Sequence, residues 1–164
     1  MPDSSPDQLS TRARLILGAR HALMTASAAW ISYATSSLIG LREGFWAAIS
    51  AIVVMQTDLT GTESSARDRF IGTAIGGLIG WICGLCWHGN LWIYALATGI
   101  TVFGCWLAKV STAGRLAAVT VTVIVLIPQS EAIWKVALFR SLEVSWGIAV
   151  AITVAWLAAK LGRR

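Results

Sequence analysis

Charge is what this sequence has least of. Only 13% of its 164 residues are Asp, Glu, Lys or Arg, where an ordinary soluble domain carries about a quarter. That shortage excludes a chain whose whole surface faces water. The balance is basic, 13 Lys and Arg against 8 Asp and Glu for a net charge of +5, yet the basic residues are scattered between apolar runs. They never gather into the stripe that tracks a phosphate backbone, so nucleic acid is not an expected partner. Catalytic signatures are missing too. No H-E-x-x-H, G-x-S-x-G or phosphate-cradling glycine loop occurs, and a membrane enzyme is therefore the weakest reading, with no cofactor expected.

Histidine and cysteine are equally sparse, with two and three residues. Cys83, Cys86 and Cys105 all lie inside apolar runs and say little about redox compartment. Cys83 and Cys86 have C-x-x-C spacing with His88 nearby. A metal needs deprotonated ligands, which hydrocarbon disfavours, so small packing residues are the better reading and no metal is expected. His21 and His88 stand at the edges of apolar runs, where an interfacial role is the commoner one.

What the chain does have is hydrophobic length: 56% of its residues are hydrophobic. Residues 1–11 are rich in Pro, Asp and Ser and are expected to be a disordered cytoplasmic N-terminus, leaving 12–164 as a transmembrane domain. Six apolar stretches follow, at 22–40, 45–55, 70–87, 91–107, 116–127 and 136–159, with a polar loop expected over 56–68. The basic approach to the first stretch and the run Ala26-Ser27-Ala28 resemble a secretory signal, but that stretch continues beyond the cleavage-like site and fits the repeat described below. The fifth stretch, AVTVTVIVLI, has the β-branched content of a strand. In lipid an open strand leaves its backbone unsatisfied, so helix is expected there as well.

Lys and Arg set the orientation. With the N-terminus inside, ten of them (Arg12, Arg14, Arg20, Arg67, Arg69, Lys109, Arg115, Lys160, Arg163, Arg164) fall on the cytoplasmic side and three (Arg42, Lys135, Arg140) outside. Both termini are thus expected in the cytoplasm, with the lipid bilayer as the surroundings of the chain. Trp46, Trp87, Trp92 and Trp134 fall at outer span ends and Trp106 and Trp156 toward inner ends, as an aromatic belt would place them. Trp30, Trp81 and Trp146 sit deeper. Core packing is the default for those three, with a ring-stacking ligand surface as the alternative.

Sliding the sequence against itself by 71 positions pairs Arg69 with Arg140, Gly76 with Gly147, and 46–56 with 117–127. Three spans per repeat is an odd number, so the second copy would insert upside down. The expected fold is therefore all-α: a polytopic membrane protein of six transmembrane helices in two inverted three-helix repeats, about 20–87 and 91–159. The middle stretch of each repeat is short, eleven residues at 45–55 and twelve at 116–127, where about twenty are needed to cross. Paired short segments at matching positions point to a transporter's site. Gln56, Thr57 and Asp58 end the first and Pro128 ends the second. A tilted helix with polar flanks at the interface explains the same pattern.

Gly72, Gly76, Gly80 and Gly84 form a four-step ladder, matched by Gly147, Ala151, Ala155 and Ala159. Such spacing lets helix backbones approach closely, within one chain or between two copies. One repeat position breaks the pattern, because Gly72 has Glu143 as its counterpart. A carboxylate at that depth is expensive and wants a reason.

The blocks FWAAISAIVVMQ, RFIGTAIGGLIG and LFRSLEVSWGIAVAITVAWL, running from about residue 45 to 157, resemble the fusaric-acid-resistance or aromatic-acid-exporter superfamily of bacterial inner-membrane proteins, distantly similar to plant malate channels. The resemblance implies proton-driven export of aromatic or other small carboxylates. Members of that superfamily are usually longer, with a soluble cytoplasmic region after six helices. A chain ending at Arg164 is accordingly expected to work as a homodimer or with a partner subunit. Candidates for the transport path are Arg69, Arg140, Glu143, Gln56 and Asp58. Arg140 and Glu143 are three apart on one helix and can pair, Arg69 would offer the same fork near the inner face, and Glu43 and Glu131 are expected to be solvated. An interfacial salt bridge, with Arg69 reaching headgroups, is the plainer alternative. A non-transporting assembly or scaffold subunit is the competing function.

Overall fold

In a computed structural model the chain is described over residues 11–41, 43–86, 90–127 and 132–161. Six helices make up these segments: α1 (Thr11–Leu38), α2 (Phe45–Val54), α3 (Leu59–Cys86), α4 (Leu91–Leu107), α5 (Ser111–Leu126) and α6 (Ile133–Leu161). No strand occurs among the described residues. AVTVTVIVLI lies in α5 and is helical, as backbone satisfaction required. Arg42, Trp87, His88, Pro128, Glu131 and the expected N-terminal disorder over 1–10 lie outside the described residues.

One expectation is overturned at the start of α3. The polar segment 56–68 is not a loop, because α3 begins at Leu59. Asp58 is the reason. Its side-chain Oδ2 accepts from the Gly61 backbone N–H at 2.9 Å, the position a helix N-cap serves. The Thr62 hydroxyl donates to the Asp58 carbonyl at 2.8 Å and accepts from the Gln56 N–H at 3.1 Å, locking the short turn. Low hydropathy suggests a loop, but Glu, Ala and Arg are good helix formers whatever faces them. Arg69 therefore lies ten residues into α3, roughly 15 Å from its start at 1.5 Å per residue. Similarly, α5 starts at Ser111 rather than 116, while α2 stays at ten residues.

The helices pack as an exchange between the two halves. α3 lies on α5 of the second half, α6 lies on α2 of the first, and α3 and α6 touch each other. Under the mapping α1 to α4, α2 to α5 and α3 to α6, every packed pair has a packed counterpart. The connections match as well. At Gly40 (φ 76°) and at Lys109 (φ 59°) the chain turns left-handed after a helix. In both turns the following N–H reaches five residues back, Leu41 to Ser36 at 3.0 Å and Val110 to Cys105 at 2.9 Å.

The glycine ladder is the seam of this exchange. A Cβ on Gly72 would meet the Ala113 carbonyl and Leu116, one on Gly76 the Ala117 carbonyl, and one on Gly80 the side chain of Ile124. On the other side, a Cβ on Gly147 would meet the Ala47 carbonyl. Gly84 is buried as well, and Ala151 and Ala155 close a cluster with Met24, Ala28, Ala51 and Val54. Close approach between backbones multiplies dispersion contacts that no larger residue would permit here.

Among the described residues, only Ile133–Leu161 is by itself both long and apolar enough to cross a membrane; α2, α4 and α5 are shorter apolar helices. The outside of the bundle is nonetheless apolar, with Leu15, Leu38, Trp92, Phe103 and Trp106 among the exposed side chains. Trp30 belongs to that outer surface at 72% exposure, and Trp81 is exposed as well, so neither is a core residue. Only Trp146 fits the packing expectation, its indole N–H donating to the Thr35 hydroxyl at 2.9 Å between α6 and α1.

Candidate functional site

The bundle interior holds charge. Arg69, Arg140 and Glu143 are all buried, together with Ser32, Ser36, Ser50, Thr62, Thr73, Thr101 and Thr120. Most of the hydroxyls answer to their own helix: those of Ser36, Thr101 and Thr120 each donate to a carbonyl three or four residues back. The charged groups have little such local outlet, one i,i+3 contact within α6, and otherwise find partners across helices.

Around Arg140 they do. Its Nη2 donates to Glu43 Oε2 at 2.9 Å, and its Nη1 stands 3.5 Å from Glu143 Oε2. The guanidinium lies over the Trp46 ring, 4.0 Å from the centroid, a stacking that attracts through the ring quadrupole. Trp46 also donates its indole N–H to Glu43 at 3.0 Å. Glu143 has a further duty, since its Oε1 accepts the backbone N–H of Glu43 at 3.0 Å. That N–H stands just ahead of α2, where helix amides are unpaired and a negative charge is favoured. Glu143 thus ties α6 to the start of α2, which answers why a carboxylate replaces a glycine in the second repeat.

Arg69 is the repeat partner of Arg140, and its surroundings are the reverse. It is 4% exposed, so it does not reach toward headgroups. Its Nη2 reaches the Ser50 hydroxyl at 3.4 Å, a long contact, and its Nε has no partner. Among the described residues no carboxylate pairs with it. Shifting by 71 shows why. Glu43, Trp46 and Glu143, which surround Arg140, correspond to Gly114, Ala117 and Gly72. All the partners have become small residues. The Nε and Nη1 of Arg140 also lack hydrogen-bond partners, as does Thr73 Oγ1 one turn beyond Arg69. Buried cations are ordinarily paired. This interior therefore holds guanidinium N–H groups without acceptors.

Residues 27–154 match the model of the fusaric acid resistance protein-like family. The chain belongs to that family. No curated protein and no solved structure matches it. Membership supports a membrane location and a transporter-like role, and the matched region runs from the middle of α1 to the last third of α6, enclosing the whole charged interior.

Within the family region the remaining candidates separate from the arginines. Asp58 is exposed and serves as the α3 cap. Gln56 lines a cavity of about 520 Å³ with Val53, Ser64, Ser65, Asp68 and Arg115. That cavity opens between α2, α3 and α5 on the side of α3 where Asp68 directly precedes Arg69. Among the described residues no group of three or more His, Cys, Asp and Glu gathers that could hold a metal. Sequence reasoning missed Glu43, expected to be solvated but ion-paired to Arg140, and it missed Trp46 as the ring beneath that guanidinium. The one available signal was the pairing of an acid and an aromatic at 43 and 46 with small residues at 114 and 117.

Proposed function

We propose that the chain is a six-span transporter of the bacterial inner membrane that exports aromatic or other small organic carboxylates, coupled to protons, with both termini in the cytoplasm. The observation that carries this reading is Arg69: a guanidinium sealed inside the bundle with one neutral partner and an unpaired N–H. A carboxylate forks onto a guanidinium through two parallel hydrogen bonds, which suits a small organic acid to this place. The cavity beside Asp68 is the route in from the end where α3 begins. Arg140, already holding Glu43 and Glu143, is the second station, and Glu143 is the group that takes a proton when an arriving anion displaces it from Arg140. Setting aside Arg69 and Arg140, both buried in the bundle, leaves nine basic residues against two on the two sides, so the inferred orientation keeps its sign.

The competing reading, a non-transporting scaffold subunit, loses one support. The α3 glycine ladder is used inside the chain against α5 and is not free to join two copies. Liposomes containing only this protein decide the matter. Labelled benzoate should move across them in response to an imposed pH gradient, and Arg69→Met should abolish that movement while the protein still assembles. Absence of flux of every aromatic and aliphatic acid tried would favour the scaffold. Single cysteines introduced at Ser4 and Gly162, with native cysteines replaced, should be shielded from an impermeant thiol reagent in intact cells while one at Asn90 is labelled.

A further inference from the structure

The two carboxylates on Arg140 differ in one respect that bears on access. Glu143 is sealed, with 2% of its side chain exposed, whereas 47% of Glu43 is exposed. Their holds differ as well. Glu143 is fixed by the Glu43 backbone N–H and sits 3.5 Å from Arg140, too long for a good charge-assisted bond. Glu43 makes the short one, at 2.9 Å, and the Trp46 N–H steadies the same oxygen. Glu43 itself belongs to the short link between α1 and α2 rather than to a helix. It is a carboxylate on a tether, bound at its solvent-facing side to a guanidinium whose other contacts are a ring face and a sealed acid.

We propose that Glu43 is an internal plug on Arg140. It occupies, from the end of the bundle where α2 begins, the edge of the guanidinium that a solute carboxylate would need, and an anion reaching Arg140 from that end does so by displacing Glu43. Glu143 keeps its Oε1 on the Glu43 backbone N–H even when its Oε2 gives up Arg140, because releasing that bond would unpair the N–H ahead of α2. The repeat shows what the plug changes: the position matching Glu43 is Gly114, packed against Cys105, and Arg69 has no tethered acid at all. One arginine is guarded by the chain's own carboxylate and the other, equally buried, has none. The proposal rests on the transport reading for its purpose, but the plug itself can be tested without transport.

The probe is iodide, an anion that quenches indole on contact, used beside neutral acrylamide. The Trp46 signal is isolated as the difference between each protein and the same protein carrying Trp46→Phe. Replacing Glu43 with Gln removes one negative charge a few ångströms from the ring and loosens the grip on Arg140. The iodide quenching constant of Trp46 should rise about threefold to fivefold at low salt, with acrylamide quenching nearly unchanged. Glu143→Gln should leave iodide quenching where it was, since Glu43 still covers the arginine. An unchanged constant in Glu43→Gln, or an equal rise in both variants, overturns the plug. Should Glu43→Gln not assemble, Glu43→Asp retains the charge and shortens the reach by one methylene, and a smaller rise in the same direction is expected from the retracted carboxylate. Benzoate flux is measured on the same preparations. A rise in iodide quenching without flux in any of them sustains the plug and removes the exporter reading; flux without the rise does the opposite.

Discussion

Two arginines at matching places in a repeated structure have opposite settings. Arg140 lies on a tryptophan between two carboxylates, and Arg69 reaches one serine hydroxyl, with small residues at the positions that match the partners of Arg140. The packing that causes the difference is visible at the middle helices. α5 begins at Ser111, which corresponds to position 40 in the first half, while α2 begins only at Phe45. The extra turn of α5 fills the space against Gly72, where a Cβ would meet the Ala113 carbonyl at 2.7 Å. In the other half that turn is missing, and the side chain of Glu143 enters the gap to reach the Glu43 N–H. A single turn of helix thus decides which arginine has a counter-ion of its own. One half pairs its buried cation within the chain, and the other holds a cation with no acid beside it.

The comparison is broken most severely by exchanging its two defining residues. Gly72→Glu would drive a side chain into the backbone of α5, so the protein should fail to run as a single species in detergent chromatography. Glu143→Gly should still assemble, less stably by about 1–3 kcal/mol for the unpaired N–H, plus whatever Arg140 loses. Next comes the same substitution made in both halves. Arg140→Met strands two carboxylates and should destabilise the protein by about 3–5 kcal/mol in a denaturant titration. Arg69→Met removes a buried charge that had no partner acid and should raise stability by about 1–4 kcal/mol while stopping flux. Equal losses from the two would mean that Arg69 has a counter-ion of the chain's own.

Smaller effects test the finer points. Glu143→Gln keeps the shape and removes the titratable group, and proteoliposomes carrying it should move benzoate without responding to a pH gradient. Unchanged gradient-driven flux would take Glu143 out of the coupling. The mildest test uses the matched left-handed turns, Gly40 and Lys109. Lys109→Gly relieves a side-chain penalty and should stabilise by about 1 kcal/mol, whereas Gly40→Lys should cost about as much.

The six helices could be read from hydropathy, and the repeat from a shift of 71, because both depend on residue type along the chain. The first turns of α3 could not, since Asp58 acts through a hydrogen bond to Gly61 that an apolarity scale does not register. Arg69, Arg140 and Glu143 stood out as charges inside apolar runs. Glu43 did not, because its position beside a turn gives it the same sequence appearance as any solvated acid; only the arrival of α6 from the far half makes it a partner. Sequence spacing also left open where the glycine ladder packs, a question settled by the α5 carbonyls that its missing Cβ atoms admit.

The exchange of helices between the halves bears on how the chain is made. When α1, α2 and α3 have left the ribosome, α3 has no α5 to lie on and α2 has no α6 against it. The narrow glycine face of α3 and the bare guanidinium of Arg69 must wait for about forty more residues to be synthesised before Ser111–Leu126 arrives. Neither half holds all of its packing partners by itself. The bundle waits for α6, which seats Gly147 on α2 and delivers Arg140 to Glu43, so the sixth helix is the one that closes the charged interior.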